Sequence, residues 1–430
     1  MTEQVTEYIC PACGGPMKFD PESGKVKCEY CASLYTIEEA KKYFEEKNKA
    51  VANAPVISED ESYWTDGDET MKAYKCNSCG AEMVCEETTA ATSCPYCGNP
   101  AVMPQKFKGM LRPKYVIPFK VDKSEVKEKL EKYYKGKVLL PGTFKGHNHI
   151  DEIKGIYVPF WLYSGTVEAD MHFDAEQISE KKTSTEKITT TKHYEVHRKG
   201  TAKYVNIPTD ASSAMPDDLM DSIEPYDYKE MTKFEMEYLP GYLADKYDVS
   251  KEDSIERARK RAENTTASEI KKTVDGYDKV EERTLLRRVR YSGEKQEYAM
   301  LPVWLLTTNW NNQNFLFAVN GQTGKMTGNL PIDRMKQILW ILCSFILSFG
   351  ILELIVKATA FKPLMMIGVF SVIVAFIVNI ILRMTMKPVR AGSEAMNYVQ
   401  NDKKPVQLSV KQDNYIRTTE KREKIEPNKN

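Results

Sequence analysis

The chain has no net charge, no apolar segment near its N-terminus and no residue pattern that matches a known catalytic arrangement. Because residues 1–8 are polar and acidic, we expect no secretory signal and therefore reduced cysteines in the cytosol. We find no nucleophile beside a base, no paired catalytic carboxylates and no open metal site, so the sequence does not predict an enzyme.

One glycine-rich segment resembles a phosphate-binding loop only superficially. Between Gly321 and Gly324 there are two residues instead of four, and Met326 stands where Ser or Thr is required. The segment lies between two strand-like runs, 315–319 and 327–330, and a hairpin turn is the better prediction.

Eight of the ten cysteines form two groups with the same spacing, C-x2-C-x14-C-x2-C. Four thiolates at this spacing predict a tetrahedral zinc site, and a structural one, because sulfur fills every position. Disulfides are the alternative, which the reduced compartment disfavours. The sequence therefore predicts two structural zinc ions, with these ligands: Cys10, Cys13, Cys28 and Cys31 for the first, and Cys76, Cys79, Cys94 and Cys97 for the second.

The two remaining cysteines are predicted to have no metal. Cys85 lies inside the second group, where it could be a fifth ligand or a redox sensor, but a small residue on a ribbon strand is the better interpretation. Cys343 lies in an apolar run and is predicted to be inert.

Charge is unevenly distributed along the chain. Residues 1–70 hold fifteen acidic against seven basic residues, and residues 383–430 hold eleven basic against six acidic residues. A zinc ribbon that binds nucleic acid needs a positive face for the phosphates, and the first ribbon lies in the acidic segment. Nucleic acid is therefore not the expected partner.

Two apolar runs near the C-terminus, 338–356 and 364–382, have nineteen residues each. A helix of that length spans about 28 Å, close to the thickness of the hydrocarbon core of a bilayer. Basic residues flank the pair more densely than its short loop (357–363), which predicts that both termini are cytoplasmic. Glu353, the one charge inside the runs, could serve in transport, but it lies near the helix end where it can reach the headgroups.

The region 110–335 is predicted to be α+β with an internal repeat, 110–175 and 239–330. Each half begins with a residue that can cap a helix, Asp122 or Ser250, and continues to a strand-like run containing Pro and Trp-Leu. The prolines, Pro159 and Pro302, predict sheet edges or strand starts.

Two further clusters are predicted to be structural. His193 and His197 lie in an alternating run, which places them about 13 Å apart on one face as exposed strand histidines. The basic residues between 257 and 261 are interspersed with acids and predict a solvated helix face.

The predicted fold class is thus multidomain: two small β zinc ribbons, a duplicated α+β domain and an all-α transmembrane hairpin. The predicted bounds are residues 1–47 for ribbon 1 with a short helix, 48–70 for an acidic linker, 71–109 for ribbon 2, 110–335 for the α+β domain, 336–383 for the hairpin and 384–430 for a basic cytoplasmic tail.

Several phrases resemble a family of bacterial membrane proteins with N-terminal transcription-factor-IIB-type zinc ribbons. They are Cys10-Pro-Ala-Cys-Gly-Gly-Pro-Met-Lys-Phe-Asp20, Cys94-Pro-Tyr-Cys-Gly98, Ile117-Pro-Phe-Lys120, Ile223-Glu-Pro-Tyr-Asp227, Tyr238-Leu-Pro-Gly-Tyr242, Leu301-Pro-Val-Trp-Leu305 and Val319-Asn-Gly-Gln-Thr-Gly-Lys325. Members are often labelled as relatives of the primosomal helicase, a label that rests on the ribbons, since this chain has no helicase loop. Some are associated with phage-shock-protein-A-type envelope-stress systems and with scaffold proteins that carry zinc ribbons.

The resemblance implies a membrane-anchored adaptor or scaffold, in envelope stress or membrane remodelling, that recruits cytoplasmic proteins to the bilayer. Its expected partners are phage-shock-protein-A-type or zinc-ribbon scaffold proteins, and self-association or a hetero-oligomer is compatible with it. The alternative is a membrane-tethered nucleic-acid-binding protein linked to replication or transcription, whose binding would weaken steeply with salt.

Overall fold

In the computed structural model, the described residues are 10, 12, 17–28, 30–40, 42, 71–76, 81–86, 94–96, 102–105, 111–146, 153–183, 185–239, 241–311, 313–356, 364–387, 394–400 and 404–424. The predicted linker 48–70 and the predicted loop 357–363 lie outside this part of the chain, as do Cys13, Cys79 and Cys97.

Residues 37–40 are helical, as predicted for a short helix in residues 1–47. The α-helices that follow are α1 (Lys123–Tyr134), α2 (Gly142–Gly146), α3 (Asp217–Ile223), α4 (Lys251–Lys272), α5 (Arg334–Val356) and α6 (Leu364–Met386). The strands are β1 (Met17–Asp20), β2 (Lys25–Cys28), β3 (Leu34–Tyr35), β4 (Met71–Cys76), β5 (Glu82–Glu86), β6 (Val102–Gln105), β7 (Tyr115–Val116), β8 (Lys154–Lys182), β9 (Glu186–Asp210), β10 (Thr232–Lys233), β11 (Leu243–Asp245), β12 (Lys279–Glu282), β13 (Arg288–Trp310), β14 (Gln313–Asn320), β15 (Met326–Gly328) and β16 (Gln407–Lys424).

The chain is multidomain, with helices and a large sheet, and it divides into two compact units. Unit 1 contains Met1–Pro159, Ser212–Asp248 and Ala299–Ala391, and unit 2 contains Phe160–Ala211, Val249–Tyr298 and Gly392–Asn430. The chain passes from one unit to the other within β8 and within β13.

Aromatic side chains form the centre of unit 1. The rings of Phe119 and Tyr242 are stacked with centroids 4.0 Å apart, and Phe119 meets Trp304 edge to face at 5.2 Å. The indole Nε1 of Trp304 donates to the backbone oxygen of Val121, 2.9 Å away, so burial leaves its polar atom satisfied.

Two helices begin at the predicted capping residues. The Asp122 carboxylate accepts from the backbone N–H of Glu125 at 2.8 Å, and the Ser250 hydroxyl accepts from that of Asp253 at 3.1 Å. Each side chain satisfies an N–H that the helix itself leaves unpaired. Both predicted caps are confirmed, as is the antiparallel hairpin of β14 and β15 around Gly321 and Gly324.

The prediction that the two prolines mark sheet edges or strand starts is wrong, because both lie inside long strands. β8 pairs with β11 through Ile156 and Tyr157, and with β9 from Phe160 onward, so Pro159 lies where the strand changes partner. Pro302 likewise lies between the residues of β13 that pair with β7 and those that pair with β14. A residue without an N–H is tolerated where those two ladders meet.

Unit 2 is built on paired long strands with a helix on one face. β9 pairs antiparallel with β8 on one side and with β16 on the other. Alternate residues of β8 and β9 point to α4 and form a buried cluster: Ala169, Met171, Phe173, Ala175, Val196, Ala267, Ile270 and Val274. The opposite face, which carries Asp170, His172 and His197, is only half-buried.

The arginines of α4 are not the solvated surface that the sequence predicted. Arg261 is buried, and its guanidinium donates to the Pro208 carbonyl oxygen at 2.8 Å. Arg257 pairs with the buried Asp210 carboxylate at 2.6 Å. These arginines pack within unit 2, because a long side chain can bury its stem while its charged end finds a partner.

Candidate metal centre and apolar hairpin

Cys28 of the first cysteine group lies in a small sheet with the order β1–β2–β3. A turn at residues 21–24 joins β1 and β2, and Gly24 adopts the positive φ of 64° that this turn requires. Cys28, at the end of β2, pairs with Met17, at the start of β1. Because Cys28 ends a strand that is held on both sides, the position of its thiol is fixed.

A tight turn then brings Cys31 back toward Cys28. The Ala32 N–H donates to the Cys28 carbonyl at 3.0 Å, and the Cys28 N–H donates to the Ser33 carbonyl at 2.9 Å. The Tyr30 N–H points at the Cys28 sulfur, 3.4 Å away.

Three thiols of the first group converge. The Sγ atoms of Cys10, Cys28 and Cys31 lie within 4.8 Å of one another, and the Cys10 and Cys31 sulfurs are 3.5 Å apart. Tetrahedral zinc with bonds of about 2.3 Å places its sulfur ligands about 3.8 Å apart. The cluster is therefore near the distance at which sulfurs bind a metal, and Cys10 and Cys28 are buried beside Met17 and Val26.

Cys76 of the second group lies in the large sheet of unit 1. Cys76 ends β4, and its N–H donates to the Ala81 carbonyl at 2.8 Å, while Cys76 and Cys94 are both buried. The strand β5, which contains Cys85 as predicted for a ribbon strand, pairs with both β4 and β11. The Thr307 hydroxyl of β13 donates to the Pro95 carbonyl at 2.6 Å. The backbone around the second group thus continues the large sheet.

A carboxyl group that the sequence analysis missed lies beside the second group. Asp245, at the end of β11, is 1% exposed, and burial raises its pKa from the ordinary 3.8 to about 7. The polar groups of Ser212 and Tyr96 and the Lys246 N–H, which lie beside the carboxylate, offset part of this rise in pKa. No local pattern marks this residue, because its burial depends on the pairing of β11 with β5 and β8.

The helices α5 and α6 are long and apolar enough to cross a membrane. Their candidate spans, Arg334–Ile355 and Met365–Met386, have mean hydropathies of 2.4 and 2.8, and most of their large apolar side chains are exposed. The two helices pack against each other, and the Gln337 amide nitrogen donates to the Asn379 amide oxygen at 3.2 Å. Cys343 and Glu353 both lie on α5.

The start of α5 is fixed to unit 1. Asp333 caps the helix by accepting from the Met335 N–H at 3.0 Å, and its own N–H donates to the Leu139 carbonyl at 2.9 Å. The ammonium of Lys336 donates to the Leu140 carbonyl at 2.7 Å, and that of Lys137 donates to the Thr385 carbonyl at the end of α6. The segment 137–140 thus holds both helices at one end.

We expect the intact protein to remain in the membrane pellet after washes with high salt and alkaline carbonate, and to be released by detergent. The exposed apolar surface of α5 and α6 is too large to leave in water. Arginines in place of Ile346 and Ile373 should reduce insertion, by about 2.5–3.5 kcal/mol each at the bilayer centre. Fractionation with immunodetection checks this, and a chain that stays soluble without detergent would contradict it.

Three converging cysteine thiols and two such helices define a class of protein with a candidate metal site and two candidate membrane spans. The comparisons with known proteins place it more closely. It is 34% identical over 336 residues to YdjG, an uncharacterised protein of Bacillus subtilis (strain 168), and the match covers 78% of this chain and 93% of that protein. The chain belongs to the same family as YdjG. No family model and no solved structure matches the chain.

Proposed function

We propose that the chain is a membrane-anchored zinc-ribbon adaptor that holds cytoplasmic protein partners at the bacterial cell membrane. Both cysteine groups would bind a structural zinc ion through all eight predicted cysteines, and the hairpin of α5 and α6 would cross the bilayer. The observation that carries the proposal is that one compact unit contains the cysteine groups and both apolar helices. A binding surface that the zinc ions hold rigid would thereby be anchored in the membrane.

The donor set of the first group suits zinc. Sulfur ligands select Zn²⁺ over hard cations, and a site filled by sulfur leaves no position for substrate. Such a site contributes folding free energy to a segment too small for a large apolar core. The buried apolar residues around Cys10 and Cys28 are few: Met17, Val26 and Ala40. A rigid ribbon of this kind provides a binding surface without chemistry of its own.

The arrangement of unit 2 supports a cytoplasmic location for both ends of the chain. β9 precedes the hairpin in sequence and β16 follows it, yet the two strands pair along most of the length of β16. A chain that crosses a bilayer twice returns to the side where it began. The basic residues that flank the hairpin, Arg334, Lys336, Arg383, Lys387 and Arg390, favour the cytoplasm for that side.

The physiological setting in this proposal is envelope stress or membrane remodelling, which the family resemblance implies. The expected partners are phage-shock-protein-A-type proteins or scaffold proteins with zinc ribbons. The acidic first ribbon segment suits basic protein surfaces better than phosphates, because like charges repel a nucleic-acid backbone.

A crosslinked pull-down from membranes tests the adaptor function. We expect the intact chain to retain specific cytoplasmic proteins, and a variant with Cys10, Cys13, Cys76 and Cys79 changed to Ser to lose them while it stays in the membrane. Zinc content, measured in the same eluates, should fall by two ions per chain. Variants that change only two cysteines, either Cys10 and Cys13 or Cys76 and Cys79, assign each partner to a ribbon.

The matched control is a chain in which Cys85 and Cys343, which lie outside both groups, are changed to Ser. It should keep its zinc and its partners. Unchanged protein partners after loss of both zinc ions would refute the adaptor proposal. Recovery of nuclease-sensitive nucleic acid, lost at high salt, would favour a membrane-tethered nucleic-acid binder in its place.

A further inference from the structure

A cluster of metal-ligating side chains that contains no cysteine lies on the half-buried face of unit 2, far in sequence from the two cysteine groups. His172 on β8 and His197 on β9 are directly opposite each other in the antiparallel pair, and Asp170 is two residues before His172 on the same face. One ligand atom from each of the three residues lies within 4.8 Å of the other two. The alternating pattern predicts that His197 is an exposed strand residue, but its side chain is only 23% exposed.

The three ligand atoms converge on the Asp170 carboxylate. Its Oδ1 is 2.7 Å from Nε2 of His197 and 3.7 Å from Nε2 of His172. The two imidazole rings are stacked, with centroids 4.2 Å apart and planes inclined by 7°. Zinc bonds of about 2.0–2.2 Å require ligand atoms about 3.3 Å apart in a tetrahedral site. A small rotation of the rings would bring the three atoms to that spacing.

His172 lacks the hydrogen bonds that a half-buried imidazole normally makes. Its buried Nδ1 has no hydrogen-bond partner among the described residues, and 3.7 Å is too long for a hydrogen bond from Nε2 to Asp170. Nε2, the nitrogen that faces Asp170, is thus also without a hydrogen bond among the described residues, and it is the atom through which this ring would bind a metal ion. His193, four residues before His197, differs: Glu176 and Thr419 lie 3.3 Å and 3.0 Å from its ring nitrogens.

The neighbouring cations are already paired with other acids. Arg283 on the same face binds the carboxylates of Asp174 and Glu195, with its nearest oxygens at 2.5 Å and 2.8 Å. Lys199, opposite Asp170 on β9, pairs with Glu168 at 3.1 Å. The Asp170 carboxylate is therefore left facing the two histidines. An added divalent cation would meet one carboxylate and two imidazole rings.

We propose that Asp170, His172 and His197 bind a divalent transition-metal ion, with Zn²⁺ as the natural candidate. Two imidazoles and one carboxylate form a donor set that suits Zn²⁺, Co²⁺, Ni²⁺ and Fe²⁺ rather than Ca²⁺ or Mg²⁺. Three protein ligands leave at least one position for water or for a group from a partner, unlike the sulfur-filled ribbons. The two strands hold their ligands through the sheet, so the site does not depend on the ribbons.

The test uses the full chain in detergent, with its cysteine sites loaded with zinc, and Co²⁺ as the probe. We expect one Co²⁺ per chain to bind with visible absorption that lacks thiolate charge transfer. His172→Gln combined with His197→Gln should abolish this uptake. His193→Gln, on the same face one residue pair beyond Asp174 and Glu195, is the matched control and should bind like the unmodified chain.

Asp170→Asn tests the same site without changing side-chain shape, and it covers the case in which the double histidine variant does not fold. The loss of this charged ligand should weaken Co²⁺ binding at least about tenfold, since even outer-shell partners contribute that much. The proposal is overturned if the double variant or Asp170→Asn takes up Co²⁺ as well as the unmodified chain does. It is also overturned if His193→Gln loses the same uptake, or if cobalt binds only with thiolate absorption.

Discussion

Changing Cys76 and Cys94 together to Ser is expected to remove the zinc ion proposed for the second cysteine group and to destabilise the whole of unit 1. Zinc at a structural site contributes on the order of 10 kcal/mol of apparent binding free energy at neutral pH. β5 connects the second ribbon to β11, and β11 pairs in turn with β8. Loss of this ion should therefore loosen the edge strands of the large sheet and not only a local loop.

The equivalent change in the first ribbon provides the comparison. Cys28 ends β2 of the separate sheet of β1, β2 and β3, and Cys31 lies in the turn that follows. Their replacement by Ser should therefore remove the proposed zinc ion of the first group and loosen mainly residues 10–40. Hydrogen exchange distinguishes the two variants. The amide protons of β11 and of the first residues of β8 should exchange faster only in the Cys76 and Cys94 variant. Equal protection of β11 in both variants would contradict this account. The Cys85→Ser variant is the control for the loss of a thiol, and its zinc content should be unchanged.

The second large effect is a change in pH dependence on replacing Asp245 with Asn. The folded-state pKa of Asp245, about 7, is above its ordinary value of 3.8, so folding favours the neutral carboxyl. This group's contribution to stability is complete below about pH 4 and is lost as the pH rises to about 7. The difference corresponds to about 4 kcal/mol at most. The asparagine amide would remain neutral throughout, and its oxygen could still accept the Lys246 N–H, which lies 2.9 Å from Oδ1 of Asp245.

We therefore expect Asp245→Asn to raise the unfolding free energy at pH 8 by roughly 2–4 kcal/mol and to leave it unchanged near pH 4. Thermal unfolding of both proteins in the same buffers, followed by tryptophan fluorescence, gives the difference at each pH and cancels the acid release of zinc. The exposed Asp248, which accepts from the Ser213 N–H at 2.6 Å, is the matched control. A stability difference for Asp245→Asn that does not vary with pH would show that the buried carboxyl is not the source.

The parts of the structure that the sequence predicted are those encoded within a few neighbouring residues. The caps at Asp122 and Ser250, the turn around Gly321 and the turn between Cys28 and Cys31 involve contacts between residues close in the chain. The length and composition of α5 and α6 are likewise evident from the sequence of each apolar run by itself. The cysteines of one group are far apart in the chain, and it is their regular spacing that predicts that they belong to one site.

What the sequence did not predict depends on which strands meet and in what register. His172 and His197 are twenty-five residues apart, and a shift of one residue between β8 and β9 would move one of them to the other face. The burial of Asp245 and of Arg261 depends in the same way on partners elsewhere in the chain. The supposed basic tail contains a regular strand, β16, because β9 offers it an unpaired edge more than two hundred residues earlier.

The position of β16 also has a consequence for biosynthesis. A ribosome makes β9 first, then the two apolar helices, and only afterwards the strand that covers the free edge of β9. Until then, β9 presents unpaired backbone groups of the kind that recruit other strands. Membrane insertion would therefore precede completion of unit 2, and a nascent chain stalled at the hairpin would expose that edge to chaperones or to neighbouring copies.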